Sequence, residues 1–316
     1  MDDARHACTS TGNTSPGADG ITVAMLKAAW PSISTAVTTL FQASLRLGHY
    51  PQAFREAEVV MIPKPGKDLT TARAWRPISL LSCLGKGLER LVAKRLAWAA
   101  ITQKVIHPQQ AGALPKRSCS DLALALLHDL ELALCKKKVA TLITMDVQGA
   151  FDTVLRNRLL RRLLEQGWPD HLARWVGSFL TDRRACVRYE DVTTALEPLR
   201  CGLPQGSPIS PILFLLYTEP IYKLPLFRGK RYGYADDVGT LLVGQTIQET
   251  ASLATRAARE LLDWGQLNGV SFDPVKTEVV HFTRRKIDHL TPMPQAQHGL
   301  TPITPADSVR WLGMCT

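Results

Sequence analysis

The spacing of apolar and polar positions divides the chain into a helical beginning and a mixed strand-and-helix remainder. From Gly20 to Leu47 it predicts a helix or two, broken at "WPS" (30–32). "AEVVMIPKPGK" (57–67) is a short β-branched strand running into a Pro/Gly/Lys loop. In "LLSCLGKGLERLVAKRLAWAA" (80–100), Leu84, Leu88, Leu91, Val92 and Leu96 recur at helical spacing. "CSDLALALLHDLELAL" (119–134) predicts another helix, with Ser120 or Asp121 as N-cap. Its sequel "CKKK" (135–138) reads as a solvated helix end that complements the dipole. "VATLITMD" (139–146) is β-branched, apolar and too short for a helix, so it predicts a buried strand with Asp146 at its tip. "RNRLLRRLLEQG" (156–167) is a basic amphipathic helix closed by Gly167, and Pro169 opens the next one, to about Leu180. "RACVRYE" (184–190) alternates as a strand, and "PQGSPISPILFLLYTEPIY" (204–222) is a turn followed by an apolar helix. "KRYGYADDVGTLLVG" (230–244) has two strand-like arms that meet at adjacent acids, which predicts a hairpin. "TIQETASLATRAARELLDWGQLNG" (246–269) is a long amphipathic helix ended by Asn268-Gly269, and "EVVHF" (278–282) is a last strand. This order predicts an α+β fold, an antiparallel sheet backed by helices behind a mostly helical N-terminal part. Residues 1–16 are small and polar and read as loose.

Composition narrows the partners more than the fold. With 316 residues, 45% hydrophobic and 21% charged, the chain can build one large domain or two to three subdomains. A net charge of +10 suits an acidic polymer, nucleic acid first among them, although a basic surface kept for solubility would give the same number. Seven dispersed cysteines without a C-x-x-C pair argue against a zinc finger or a disulfide framework, and for a reducing compartment. "MDDARHACTST" has no apolar signal region, and the longest apolar stretch is too short for a bilayer. A soluble, intracellular protein with no membrane association is expected.

The acids are the chemical signal. Two unit charges 4 Å apart repel by about 4 kcal/mol at an effective dielectric of 20. A lone Asp at a turn needs no special account, but the doubled Asp236-Asp237 sits between apolar arms. If the hairpin pairs beside the strand ending in Asp146, three carboxylates meet at one sheet edge and require cations. Mg²⁺ suits such oxygen ligands together with substrate phosphates. Two ions ~3.5–4 Å apart can clamp the attacking and leaving oxygens of a phosphoryl displacement.

The surrounding blocks sharpen this. "SPGADGITVAMLK", "VVMIPKPGK", "WRPISLLSCLGKGLERLVAKRL", "TLITMDVQGAFDTV", "GLPQGSPISPILF", "YADD", "NGVSFDPVKTEVVHF" and "WLG" follow one another in that order. In this the chain resembles, over nearly its whole length, the reverse transcriptase domain of non-LTR (long interspersed, I/Jockey-like) retrotransposons. The resemblance implies right-hand polymerase fingers and palm, with the thumb truncated. It implies a loose segment at 1–16, mostly helical fingers at 17–138, a palm at 139–283 and the start of a thumb or primer-grip region at 284–316. There is room for part of the fingers to interleave around 155–200. The implied activity is that of an RNA-directed DNA polymerase in retrotransposition, extending a DNA primer on an RNA template with deoxynucleoside triphosphates. For an active eukaryotic element the implied place is the nucleus.

The same resemblance assigns residues. Asp146 and Asp236 would hold both Mg²⁺ ions (Mn²⁺ as a substitute), Asp237 would complete the cluster, and the Val147 carbonyl would be a further ligand. Phe151 would be a steric gate against a 2′-OH, its plain alternative being a core phenylalanine. Gly149 and Ala150 would let the triphosphate approach the backbone, and Asp152 belongs to the family's "FD" pair. Gln205, in the turn from Pro204 to Gly206, would lie against the incoming nucleotide and the template. Lys64 and Arg76 would grip the triphosphate, with Lys67 able to replace Lys64. Lys276 would protonate the leaving pyrophosphate. Tyr234 would pack under the primer terminus, and Trp311, Leu312 and Gly313 would begin the primer grip. Basic residues at Lys64 and Lys67, Lys86–Arg95 and Arg156–Arg162 are expected to contact phosphates. One block departs from the family: near 109–118 the chain lacks the usual Phe-Arg pair, although Lys116 and Arg117 keep the charge. Three other readings stay open: a group II intron-type reverse transcriptase or maturase, which also carries "YADD"; an RNA-templated RNA polymerase, although that class typically has Gly before the double Asp; and an inactive truncated relic that only binds nucleic acid.

Overall fold

The computed structural model describes residues 2–285 and 292–315. Along the chain the helices are α1 (Asp2–Thr9), α2 (Val23–Leu47), α3 (Cys83–Thr102), α4 (Cys119–Cys135), α5 (Arg156–Glu165), α6 (Asp170–Leu180), α7 (Ser210–Thr218) and α8 (Ile247–Asn268). The strands are β1 (Glu56–Pro63), β2 (Trp75–Leu80), β3 (Val139–Gln148), β4 (Arg184–Tyr189), β5 (Val192–Thr193), β6 (Glu197–Pro198), β7 (Gly229–Tyr234), β8 (Asp237–Gly244), β9 (Ser271–Phe272), β10 (Glu278–Phe282), β11 (Ala296–His298), β12 (Thr301–Ile303), β13 (Arg310–Trp311) and β14 (Met314–Cys315). No helix among the described residues is long and apolar enough to cross a membrane.

The chain forms two compact units, each discontinuous: Met1–Ala100 with Phe151–Tyr217, and Ile101–Ala150 with Thr218–Thr316. Residues 155–200 thus fold with the N-terminal hundred, while 101–138, read from sequence with the fingers, fold with the second unit.

In the first unit, α2 is one helix of 25 residues, not the interrupted pair expected at "WPS". Thr22 caps it by accepting from the Met25 N–H, and Gly48 closes it in the left-handed region at φ 64°. Pro31 lies on its exposed face, where water can meet the carbonyl that proline leaves unpaired. The buried face, Val23, Leu26, Trp30, Val37 and Phe41, continues past it unbroken, so packing overrides the local breaker. The core here is aromatic: Tyr50 meets Trp175 and Phe179 edge-on at 5.3 and 5.2 Å. The segment expected to be loose at 1–16 contains α1, which buries Ala4, Ala7 and Cys8. A sheet in the order β2-β1-β4-β5, with β6 also on β4, completes the unit. Strand β2 has no counterpart in the apolar pattern because Pro77 interrupts it; as an edge strand it tolerates a residue without an N–H.

The second unit is built on an antiparallel sheet in the order β10-β3-β8-β7, with β9 pairing the far end of β3. Ala140 and Leu142 of β3 pack with Leu122, Leu126 and Leu130 of α4. Thr141, between them, donates instead to the Thr250 hydroxyl on α8 at 2.6 Å. Because alternate strand residues point to opposite faces, α4 and α8 cover the two sides. That double cover explains why β3 reads as an unbroken apolar run, buried from Val139 to Met145. Helix α4 is capped by Ser118, not Ser120 or Asp121. The Ser118 hydroxyl accepts from the Asp121 N–H, and the Asp121 carboxylate accepts from the Ser118 N–H. The sequence reading placed the cap two or three residues too late, inside the first turn of the helix.

Candidate active site

The strand that delivers Asp146 and the hairpin that carries the paired acids are neighbours. The β3–β8 register sets Met145 opposite Val238 and Asp146 opposite Asp237. One residue further on, the Val147 N–H donates to the Asp236 carbonyl at 3.2 Å. Strands β7 and β8 pair up to Tyr234 and Asp237, leaving Ala235 and Asp236 as a two-residue turn. Ala235 there has φ 56°, a left-handed conformation that a non-glycine residue rarely takes. Sequence places these acids 90 residues apart (146 to 236), and the sheet brings their backbones to one edge.

Lys276 joins them from β9. That strand pairs with β3 at Val147, and the Asp273 N–H donates to the Asp146 carbonyl at 3.0 Å. The Asp273 carboxylate then caps a short 3-10 turn, Pro274–Lys276, by accepting from the Val275 N–H. The turn aims Lys276, whose Nζ donates to Asp146 Oδ2 at 2.6 Å. This bond, above all, raises the Lys276 ammonium, so it stays charged.

The two turn acids answer to burial first. Burial, and then the Asp146 charge, raises Asp236 above the usual carboxylate range. Burial, Asp236 and Asp146 together push Asp237 up to about 6, with Lys276 pulling the other way. Among the described residues no three His, Cys, Asp or Glu side chains stand ready as a metal-binding group; Asp146 is turned to Lys276. The donor set nonetheless fits a hard divalent cation: oxygen ligands only, half-buried, with carboxyls that only positive charge would restore to their ordinary range.

The rest of the second unit sorts the remaining expectations. Gly149, exposed with φ 61°, and half-buried Ala150 follow the strand end. Tyr234 is half-buried against the α4-side core. Trp311, read as the first residue of the primer-grip region, is 4% exposed and meets Tyr232 edge-on at 6.5 Å. Its ring fills the space above Gly239, where an added Cβ would stand 2.9 Å from it. Leu312 and Gly313, both at positive φ, make the tight turn between β13 and β14.

The first unit gathers most of the residues assigned to the nucleotide. Lys64, at the end of β1, donates its ammonium to the Arg73 carbonyl at 2.8 Å. Its charge also opposes the burial that raises Asp152. Arg76 is exposed on β2 opposite Ile62. On the same strand the Ser79 N–H donates to the Gln205 carbonyl at 2.7 Å, which fastens the Pro204–Gly206 turn to β2. Gly206 has φ 122°, and a Cβ there would stand 2.7 Å from the Ser79 carbonyl oxygen. The Phe151 carbonyl accepts from the Leu203 N–H at 2.7 Å, so the segment after the strand is tied to the same turn. The Phe151 ring is half-buried and meets Phe214 edge-on at 5.6 Å.

Three findings lay outside the sequence reading. Glu89 on α3 is fully buried; it accepts from the Tyr50 hydroxyl at 2.6 Å and from the hydroxyl of Ser207, two residues after Gln205. Burial raises Glu89, opposed by those hydrogen bonds and by Arg183. The clue was its spacing, one heptad before Leu96, an acid on an apolar stripe. Within the basic cluster Lys86–Arg95, several side chains are engaged inside the fold. Buried Lys86 donates to the Ser15 carbonyl and the Thr14 hydroxyl, Arg90 to the Ala7 carbonyl, and Arg95 pairs with Asp3. Arg117, which keeps the charge of the departing block near 109–118, turns onto the carbonyls of His107 and Gln110 at 3.2 and 2.5 Å.

The family described as reverse transcriptase (RNA-dependent DNA polymerase) matches residues 62–315. The chain belongs to this family. It is 31% identical over 254 residues to the RNA-directed DNA polymerase from mobile element jockey of Drosophila funebris, covering 77% of this chain and 27% of that one. It is 29% identical over 283 residues to the probable RNA-directed DNA polymerase from transposon BS of Drosophila melanogaster, covering 88% and 31%. The chain thus spans about a third or less of these curated relatives. Both are products of non-LTR elements, which bears out the resemblance read from the motifs. An apo telomerase structure from Candida tropicalis, truncated from its C-terminal domain, shares the fold at TM-score 0.55 and 13% identity, covering 81% of this chain and 56% of that one. The α+β polymerase fold expected from sequence is the fold observed. Reverse transcriptases as a family use divalent metal ions.

Proposed function

We propose that this chain is the polymerase portion of a non-LTR retrotransposon protein, extending a DNA primer on an RNA template with deoxynucleoside triphosphates. The observation that carries this is Asp146 set opposite Asp237 at the end of β3, with the Lys276 ammonium on Asp146. Two Mg²⁺ ions, with Mn²⁺ as a substitute, would be held by Asp146, Asp236, Asp237 and the Val147 carbonyl, and would stabilise charge on the attacking and leaving oxygens.

The chain's own residues do the rest. Lys276, kept protonated by Asp146, has a proton to give the departing pyrophosphate. Lys64 and Arg76 place positive charge for the triphosphate, where it is worth most as negative charge develops. Phe151 offers a half-exposed ring, braced on one edge by Phe214, to the sugar. Gln205 is presented on a turn that β2 and Gly206 fix in place. In a eukaryotic host the work belongs in the nucleus. The test is primer extension by the purified chain on an RNA template with Mg²⁺, with Asp236→Asn as control. Template-dependent incorporation of deoxynucleotides that is lost in the control supports the reading. Binding without incorporation by the unmodified chain would instead indicate a relic that only holds nucleic acid.

A further inference from the structure

The departure near 109–118 has a structural counterpart. Gln110 lies before α4 and is 1% exposed. A buried amide must find partners for both of its ends. Gln110 finds four. Its Oε1 accepts from the Ala235 N–H at 3.1 Å and from the Gly112 N–H at 2.9 Å. Its Nε2 donates to the Tyr222 hydroxyl at 2.9 Å and, at a longer 3.4 Å, to the Ala235 carbonyl. Two of the four thus grasp both backbone polar groups of the residue at φ 56° in the acid turn.

The backbone reinforces the grasp. The Gly233 N–H donates to the Gln109 carbonyl and the Ala111 N–H to the Gly233 carbonyl, both at 2.9 Å. The segment therefore docks on β7 next to the turn. Arg117 holds the Gln110 carbonyl from behind. Gly112 leaves no margin: a Cβ there would stand 2.1 Å from the Ala235 nitrogen. Left-handed geometry costs an alanine roughly 1–2 kcal/mol, so the turn persists only where its surroundings determine it.

We infer that Gln110 is a positioning residue for the paired aspartates: its amide holds Ala235 left-handed, which fixes Asp236 and Asp237 beside Asp146, and Gly112 supplies the clearance. The kinetic consequence rests on the polymerase reading; the structural claim does not. Gln110→Met keeps the chain length and removes all four bonds. It should raise hydrogen–deuterium exchange at the Ala235 amide while β3 and α8 stay protected. Gly112→Ala, which leaves the amide in place and intrudes on Ala235, should do the same. In primer extension both should lower kcat, by about 10²-fold for a displacement near 1 Å, while KM for the nucleotide stays within about twofold. Unchanged Ala235 exchange in both variants overturns the inference. So does exchange that rises throughout the sheet together with a lower Tm, since that marks an ordinary core amide. If Gln110→Met does not fold, Gly112→Ala decides alone. If the unmodified chain extends no primer, the polymerase reading falls and the exchange result still decides the role of Gln110.

Discussion

Replacing Asp237 by asparagine should make the chain more stable at neutral pH in the presence of a chelator. Asp237 lies opposite Asp146 and beside Asp236, and burial with those two charges lifts its carboxyl from 3.8 to about 6. The folded chain therefore holds this proton more tightly than the unfolded one. Below about pH 3.8 both states are protonated and the site is neutral in the balance. As pH rises toward about 6 the unfolded chain has released its proton and the folded chain has not, so stability falls; above that the full penalty applies. A carboxyl held that high corresponds to at most about 3 kcal/mol, at about 1.4 kcal/mol per pH unit. Because the side chain still meets water, screening reduces this to roughly 1–2 kcal/mol.

Asparagine keeps the shape and drops the charge. Urea unfolding with a chelator present should show Asp237→Asn more stable by roughly 1–2 kcal/mol near pH 7.5, and equal to the parent near pH 4. Adding Mg²⁺ should narrow the gap at neutral pH, because a cation that binds the folded parent stabilises it and gains less from the variant. A variant no more stable at neutral pH, or one whose gain is the same at both pH values, would refute the argument that this carboxylate is electrostatically strained.

Other changes probe other parts of the molecule. Asp146→Asn should lower extension by at least ~10²–10³ while RNA–DNA affinity, read by fluorescence anisotropy, stays near the parent's; near-parental extension would exclude the role. Phe151→Val should raise ribonucleotide incorporation relative to deoxynucleotide, and an unchanged ratio in competition assays would return Phe151 to the core of its unit. Ser207→Ala, which takes one donor from buried Glu89, should cost about 1–3 kcal/mol in chemical denaturation, and a loss within error would mean that Glu89 does not depend on that bond.

Much of the fold was legible because its elements carry strong local patterns. Strand β3 announced itself by a β-branched, apolar run reaching an acid, and the β7–β8 hairpin by two strand-like arms that meet at adjacent acids. What the pattern hid was set by tertiary contacts. Pro31 predicted a break that the continuous buried face of α2 overrides, and Pro77 concealed β2, whose place at a sheet edge makes proline harmless. The short strands β5, β6, β9 and β11–β14 are two or three residues each, too brief for any period to register. At the site, ordered motifs located the acids and Lys276. Charge alone did not show that Lys86, Arg90 and Arg117 reach backbone carbonyls, because a basic residue in a string does not reveal whether one waits for it. Gln110 and Glu89 were invisible for the converse reason: nothing in their neighbours states that they are buried.

The arrangement around Asp146 shows how one small region tolerates several unfavourable features together. A raised Asp237, strained by its neighbouring carboxylates, and a left-handed alanine together amount to roughly 2–4 kcal/mol of local cost. The same two strands run in unbroken register from Val139 opposite Gly244 to Asp146 opposite Asp237. Along that ladder Leu142, Ile143, Met145, Val238, Leu241 and Leu242 are each no more than 2% exposed. Each such burial contributes about 1.5–3 kcal/mol, so a few of them outweigh the site. The ladder does more than compensate. A slip of one residue would turn every side chain of β3 to the other face, carrying apolar residues packed on α4 toward the face that Thr141 presents to α8. Covered on both faces, the strand has no second register of comparable stability, and the same cover that hides its apolar run sets Asp146 against Asp237.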